Sequence, residues 1–287
     1  MLGAMAILSI QSAVAYGSVG NAAAVFPLQR LGFEVWRVDT VLFSNHTGYG
    51  AWRGAVLDPK LVDEILRGIE ERQVLVRCEA VLSGYLGSVE LGAVVLEAVK
   101  RVKRASPRAL YCCDPVLGDA DRGFFVRPEL GDFFRADAVA LADILTPNQF
   151  ELETLTGQRV GTLAALRTAC DALLGLGPRA ILVTSLDVAE VPKGTAAQLA
   201  VTRQGGWLVR TPRLPIVANG AGDLTAALFL AHFLKTGEAG AALGETAAGV
   251  HAVIAETVRL GATELAIAAA QDALVSPPRH FPVERVF

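Results

Sequence analysis

Short apolar runs alternate with longer stretches of helical period along most of this chain, and that alternation limits the fold more than any other feature. The apolar, β-rich runs fall at residues 6–10, 34–41, 80–83, 109–113, 144–146 and 180–184. Helical patterns fall at 21–31, 60–72, 89–105, 149–156, 162–176, 222–234, 238–258 and 264–274. A continuously apolar strand is covered on both faces, and helices provide the cover. Strands and helices in alternation give a doubly wound, mostly parallel sheet between two helical layers. Two later pieces, 198–202 and 207–211, read as a hairpin around 204–206. The expected fold class is α/β. No repeat, linker or composition break divides the 287 residues, so one domain is expected.

Composition removes several function classes. With 52% hydrophobic and 19% charged residues, the chain is not disordered. A formal charge of −3 leaves no basic excess for nucleic acid. Mean hydropathy is +0.42, which raises the question of a membrane span. The apolar stretches 224–234 and 239–255 are too short or too interrupted, because a span needs roughly 20 mostly apolar residues. The N-terminal segment lacks the pattern of a signal peptide and reads as a buried strand. The four cysteines (Cys78, Cys112, Cys113, Cys170) show no CxxC spacing, and Cys112 and Cys113 would face opposite sides of a strand. They read as core thiols in a reducing cytoplasm, without structural metal.

Ligands of an open parallel sheet gather at the carboxyl ends of its strands. Four polar clusters follow expected strands. In SIQSAVAYGSVGN (9–21), glycines allow a tight loop before a helix, although an ordinary turn reads the same way. VLFSNHTGYG (41–50) mixes polar side chains with Phe43 and Tyr49, which suits an apolar pocket with a few orienting groups. His46 alone reads more readily as a loop residue. In YCCDPVLGD (111–119), Asp114 and Asp119 are each either a turn cap or a cation ligand. In TPNQFELETLTG (146–157), Asn148 and Glu151 have the spacing of a helix capping box, which alone would explain both.

A fifth cluster, NGAGD (219–223), immediately precedes the apolar stretch 224–234. Small residues let backbone N–H groups converge, and a helix N-terminus adds partial positive charge, a pairing suited to phosphate. Asp223 is the exception, since a carboxylate repels an anion. It either complements the helix dipole or acts as general base on a hydroxyl beside a transferred phosphoryl group. There is no P-loop, dinucleotide fingerprint, GxSxG elbow or HExxH motif. The four histidines are too scattered for a metal cluster, and His232 and His251 read as structural.

In this order, SIQS (9–12), YG and VGN within 16–21, FSNHTGY (43–49), SGY (83–85), CDPVLGD (113–119), TPNQFE (146–151) and GAGD (220–223) resemble the ribokinase-like superfamily, and closely the pyridoxal kinases. The resemblance runs from about residue 6 to residue 274. It implies a ribokinase-like three-layer α/β/α fold and a homodimer. It implies transfer of the γ-phosphoryl group of ATP to the 5′-hydroxymethyl of pyridoxal, pyridoxine or pyridoxamine, with Mg²⁺ and commonly K⁺. Carried over by residue, Asp223 is the base, and Gly220, Ala221 and Gly222 form the anion hole. Ser12, Thr47 and Gly48 belong to the contacts around the pyridine ring, and Val19, Phe43 and Tyr85 to the wall of the vitamin pocket. Asp114, Asp119 and Glu151 belong near Mg²⁺. Asp114, Thr146, Asn148, Glu151, Thr184 and Ser185 belong to the nucleotide side, with 211–214 as a nearby loop.

Departures from the family pattern are local. The loop 118–126 corresponds to a lid, with Phe124 where some bacterial members carry a cysteine, so thiol chemistry is not expected. Thr184 stands where some members have Lys. Ala221 replaces a bulkier residue at a position whose donors are backbone groups. Two other readings remain: a hydroxymethylpyrimidine kinase of the same superfamily, and a catalytically weak vitamin B6 binding or storage protein. FSNHTGY argues against the first, and the intact GAGD against the second.

Overall fold

A ten-stranded sheet runs through the protein in the computed structural model, which describes residues 5–216 and 219–287. Its strands are β1 (Ala6–Tyr16), β2 (Glu34–Asn45), β3 (Gly54–Val56), β4 (Cys78–Ser83), β5 (Leu110–Cys113), β8 (Ile144–Leu145), β9 (Ala180–Val183), β10 (Thr195–Thr202), β11 (Gly205–Pro212) and β12 (Val283–Arg285). A separate hairpin pairs β6 (Gly118–Asp119) with β7 (Gly123–Phe124). The sheet order is β12-β11-β10-β9-β8-β5-β4-β1-β2-β3. The central strands from β9 to β2 are parallel. β3 joins one edge and β10, β11 and β12 the other through antiparallel pairs.

The helices are α1 (Asn21–Arg30), α2 (Pro59–Glu71), α3 (Val89–Ala105), α4 (Pro128–Phe133), α5 (Val139–Leu141), α6 (Gln149–Thr156), α7 (Leu163–Leu174), α8 (Ala221–Thr236), α9 (Ala239–Leu260) and α10 (Gln271–Val275). A π-helical turn at Phe134–Ala138 links α4 to α5. Two apolar cores sit on the two faces of the sheet. One takes Leu8, Val81 and Cys113 with residues of α2, α3, α6 and α7. The other takes Ile7, Leu82 and Cys112 with residues of α1, α8 and α9. Neighbours in one strand thus divide between the cores, as the pleat requires. All four cysteines are free and buried, in agreement with their reading as core thiols.

Helix α8 is buried on nearly every side from Leu224 to Ala231, because it lies on the sheet between α1 and α9. Helices α8 and α9 are the most apolar of the long helices and add to the high mean hydropathy. Among the described residues, no helix is long and apolar enough to cross a membrane.

Several elements differ from the expectation. β1 and β2 run on to Tyr16 and Asn45 and pair as an arm beyond the last β1–β4 partners, Ile10 and Ser83. β3, β12 and the β6–β7 hairpin are two or three residues long and carry no apolar run. The expected helix 264–274 contracts to Gln271–Val275. Left-handed Gly261 ends α9, and buried Thr257 accepts a hydrogen bond from the Ala266 N–H (2.9 Å), which holds the following chain in turns.

Candidate active site

The parallel strands bring most of the singled-out residues to the carboxyl ends of the strands, along one end of the sheet. Asp114, Thr146 and Thr184 directly follow β5, β8 and β9, and Tyr85 follows β4. Ser12 lies inside β1, where Gln11 pairs with Asp39 but Ala13 pairs with Leu42. That register shift re-aims the side chain, and buried Ser12 packs against Gly20 in the loop leading to α1.

Helix α8 starts beside that loop. Gly220 caps it in the left-handed region (φ 83°) and offers no side-chain cap. A Cβ on Gly220 would lie 1.7 Å from the Ser18 carbonyl oxygen, so only glycine fits. Ala221 and Gly222 open the helix, with first-turn N–H groups free of any side-chain acceptor at the cap. Asp223 is partly buried in the same turn. Burial pushes its carboxyl up to about 6, against the opposing effect of hydrogen bonds from the Gly20 N–H and its own N–H.

Two further carboxylates converge on this point. Asp114 is buried and accepts a hydrogen bond from the Thr146 hydroxyl (3.0 Å). Its pKa lies well above the usual range, first through burial, then through the negative charges of Glu151 and Asp223. Glu151 is also buried and shifted upward by burial. Its Oε1 accepts from the Leu117 N–H (2.9 Å), and its Oε2 from the Asn148 N–H (2.8 Å). The Asn148 side chain accepts in turn from the Glu151 N–H (2.9 Å) and donates to the Gly118 carbonyl (2.8 Å). The capping box is therefore real, and the same pair also pins the base of the β6–β7 hairpin.

Asp119 adds its negative charge to the upward shift of Glu151. Its oxygens are taken by Arg122, through the backbone N–H (2.7 Å) and the guanidinium Nε (2.8 Å). Among the described residues, no three His, Cys, Asp or Glu are placed to hold a metal ion by themselves. Asp114 nevertheless suits Mg²⁺. It is a buried carboxylate with one hydroxyl donor and two acidic neighbours, whose repulsion a cation would offset. Mg²⁺ takes few protein ligands and completes its shell with water and phosphate oxygens.

At the end of β9, Thr184 is tied to α6, its N–H donating to the Pro147 carbonyl (3.0 Å) and its carbonyl accepting from the Gln149 N–H (3.0 Å). Exposed Ser185 is held at φ 55°, a left-handed conformation that non-glycine residues seldom adopt. On the other side, Val19 is buried and Phe43 and Tyr85 are half-buried, with Phe43 packed 6.2 Å from Trp52. Thr47 and Gly48 lie in a 3₁₀ turn closed by His46, whose Nδ1 accepts from the Gly48 N–H (3.0 Å). Burial and nearby Arg122 lower the His46 pKa, which keeps the imidazole neutral and able to accept. Phe124 docks the hairpin edge-on against Phe150 at 5.1 Å.

Three contributors carried no signal in the sequence. Arg122 was hidden in a polar loop, yet its guanidinium lies beside Gly48 and His46. Ser18 contributes its backbone N–H and carbonyl and a hydroxyl bonded to the Leu265 carbonyl. Glu264 fell inside an expected helix, but it binds Ser18 and Tyr49 from the turn after α9.

Comparison with known proteins agrees with this arrangement. The family model described as phosphomethylpyrimidine kinase matches residues 38–268. Pyridoxal kinase PdxY of Rubrobacter xylanophilus is 59% identical, over 99% of this chain and 98% of its own length. Pyridoxal kinase PdxY of Deinococcus radiodurans is 54% identical, over 98% of this chain and 96% of its own. Among solved structures, pyridoxal kinase from Leishmania donovani in complex with ADP and pyridoxamine superposes with a TM-score of 0.91 at 28% identity, covering 99% of this chain and all of that one. A sheet with this order, an α8 start with this geometry and similarity along nearly the whole length lead to one assignment: the chain belongs to the pyridoxal kinase family.

Proposed function

We propose that the protein transfers the γ-phosphoryl group of ATP to the 5′-hydroxymethyl of pyridoxal, giving pyridoxal 5′-phosphate, and accepts pyridoxine and pyridoxamine at the same site. The observation that carries this reading is Asp223 in the first turn of α8, next to uncapped N–H donors and within electrostatic reach of Asp114. Its carboxyl, raised to about 6, is ionised at neutral pH and basic enough to take the hydroxyl proton. The N–H groups of Gly220, Ala221 and Gly222 stabilise the charge on the phosphoryl oxygens. Asp114 holds Mg²⁺, with Glu151 and Asp119 near it. When bound, the ion neutralises phosphate charge.

Thr146, Asn148, Thr184 and Ser185 line the nucleotide phosphates, and Ser12, Val19, Phe43, Thr47, Gly48 and Tyr85 surround the pyridine ring. The segment 118–126 serves as a lid whose base is fixed by Glu151 and Asn148 and whose Phe124 docks on Phe150. K⁺ assists, the enzyme works as a single-domain protomer of a homodimer, and it acts in the cytoplasm. The test is formation of the phosphate ester from pyridoxal with Mg-ATP and K⁺. Pyridoxal binding without ester formation would favour a storage protein. Because the matching family model is described by the pyrimidine reaction, hydroxymethylpyrimidine is the acceptor to run in competition.

A further inference from the structure

We infer that Glu264 is a positioning residue that clasps the two walls of the acceptor pocket together and aligns both with the start of α8. Its two carboxylate oxygens serve two different loops. Oε2 accepts from the Ser18 N–H at 3.0 Å, and Oε1 accepts from the Tyr49 hydroxyl at 2.5 Å. The neighbouring Leu265 carbonyl accepts from the Ser18 hydroxyl at 3.2 Å. Room for the carboxylate comes from Gly17 (φ 109°), where a Cβ would lie 2.7 Å from Oε2.

Each arm leads to the chemistry. Tyr49 closes the turn that holds Thr47 and Gly48. Ser18 precedes Val19 and Gly20, and its carbonyl oxygen is the atom against which Gly220 packs. The Gly20 N–H hydrogen-bonds Asp223. One side chain therefore ties the acceptor turn to the anion hole and to the base. The clasp itself is well supported: Thr257 fixes the turn carrying Glu264, and Leu265 and Ile267 anchor it in the core. Tyr16 packs beside Tyr49 at 6.1 Å and completes the seam. A group that holds the two walls of the pocket together sets how well the acceptor is held in place, without touching a reacting atom.

The inference rests on the acceptor-pocket reading above, and the test separates the two. Initial rates with pyridoxal and ATP varied separately, and the pyridoxal Kd by calorimetry, are compared for wild type, Glu264→Ala and Tyr49→Phe. Glu264→Ala is expected to raise both KM and Kd for pyridoxal about tenfold, with the KM for ATP within about twofold of wild type. Tyr49→Phe is expected to raise the pyridoxal values about threefold and to add nothing in the Glu264→Ala background. Pyridoxal values within about twofold of wild type in Glu264→Ala, or an equal rise in the KM for ATP, overturn the clasp. If Glu264→Ala does not fold, Tyr49→Phe decides alone, since it removes only an exposed hydroxyl. Wild type that binds pyridoxal but transfers no phosphoryl group defeats the kinase reading, while the Kd comparison still decides the clasp. Wild type that does not bind pyridoxal defeats both.

Discussion

Gly220 packs directly on the carbonyl oxygen of Ser18, and a Cβ at that position would come within 1.7 Å of it. Gly222, two residues on, faces open space. The two glycines should therefore fail differently. Gly220→Ala must leave its left-handed conformation or push Ser18 aside, at more than about 2 kcal/mol. Gly222→Ala should keep or raise stability, since Ala in a helix is favoured by about 0.5–1 kcal/mol over Gly. It should still lose about tenfold or more in kcat/KM, because the added methyl occupies ligand space. Thermal melts and initial rates on the pair check this. An unchanged melting temperature in Gly220→Ala would refute the Ser18 packing.

Asp223 couples activity to stability with opposite signs. Its carboxyl sits at about 6 in the folded protein, above the ordinary value of 3.8, so the folded state binds more protons between those limits. Stability contributed by this group is present at low pH and is lost as pH rises through about 6. Asp223→Asn is expected to gain on the order of 1–2 kcal/mol near pH 8 and nothing near pH 4. Its kcat should fall about a hundredfold or more. In wild type, kcat/KM should drop as pH falls through about 6, where the base becomes protonated. Urea melts at the two pH values, alongside the rate profile, test both signs.

Mg²⁺ binding should follow the ionisation of Asp114. Burial and the charges of Glu151 and Asp223 push its pKa up, so the ionised form needs a counter-ion most. Added MgCl₂ is expected to raise the melting temperature more near pH 8 than near pH 5.5, and to do so little in Asp114→Asn. An equal Mg²⁺ shift in Asp114→Asn would move the site elsewhere.

Glu151 should matter to the fold as well as to the phosphates. Its carboxylate takes the buried N–H of Leu117 and the half-buried N–H of Asn148, and Glu151→Ala leaves both without an acceptor. The expected loss is about 2–4 kcal/mol, against about 1–2 kcal/mol for Asn148→Ala, which removes the α6 cap and the bond to the Gly118 carbonyl. Equal losses in the two variants would mean that Glu151 does no more than cap α6.

These residues also mark how far the sequence could be read. The central parallel strands were legible because helices on both faces force continuous apolar runs, as in β4 and β9. The polar clusters at their carboxyl ends were legible because ligands gather there. Asn148 and Glu151 admitted both a structural and a functional reading; the structural one, the capping box, is present, and the functional one belongs to the proposal above. The edge strands β3 and β12 and the hairpin were not legible, since two or three residues carry no period. The arm of β1 and β2 was cut short because it runs out of the core: Ala15, Tyr16 and Leu42 are exposed. Glu264 was misread as helical because its pattern is apolar on one side; left-handed Gly261 and the Thr257 hydrogen bond decide against the helix. For Asp119 the spacing left a turn cap and a cation ligand open; the structure shows it capping the turn at Arg122, a contact that spacing does not reveal.

The central claim is phosphoryl transfer to the 5′-hydroxymethyl of pyridoxal by Asp223 at the start of α8. The most direct measurement is product analysis after incubation with Mg-ATP, K⁺ and equal amounts of pyridoxal, pyridoxine, pyridoxamine and hydroxymethylpyrimidine, for wild type and Asp223→Ala. The expected result is pyridoxal 5′-phosphate from wild type, preferred over the pyrimidine ester, with about a hundredfold less from the variant while pyridoxal binding persists. Predominant phosphorylation of the pyrimidine, or undiminished pyridoxal 5′-phosphate from Asp223→Ala, would contradict it.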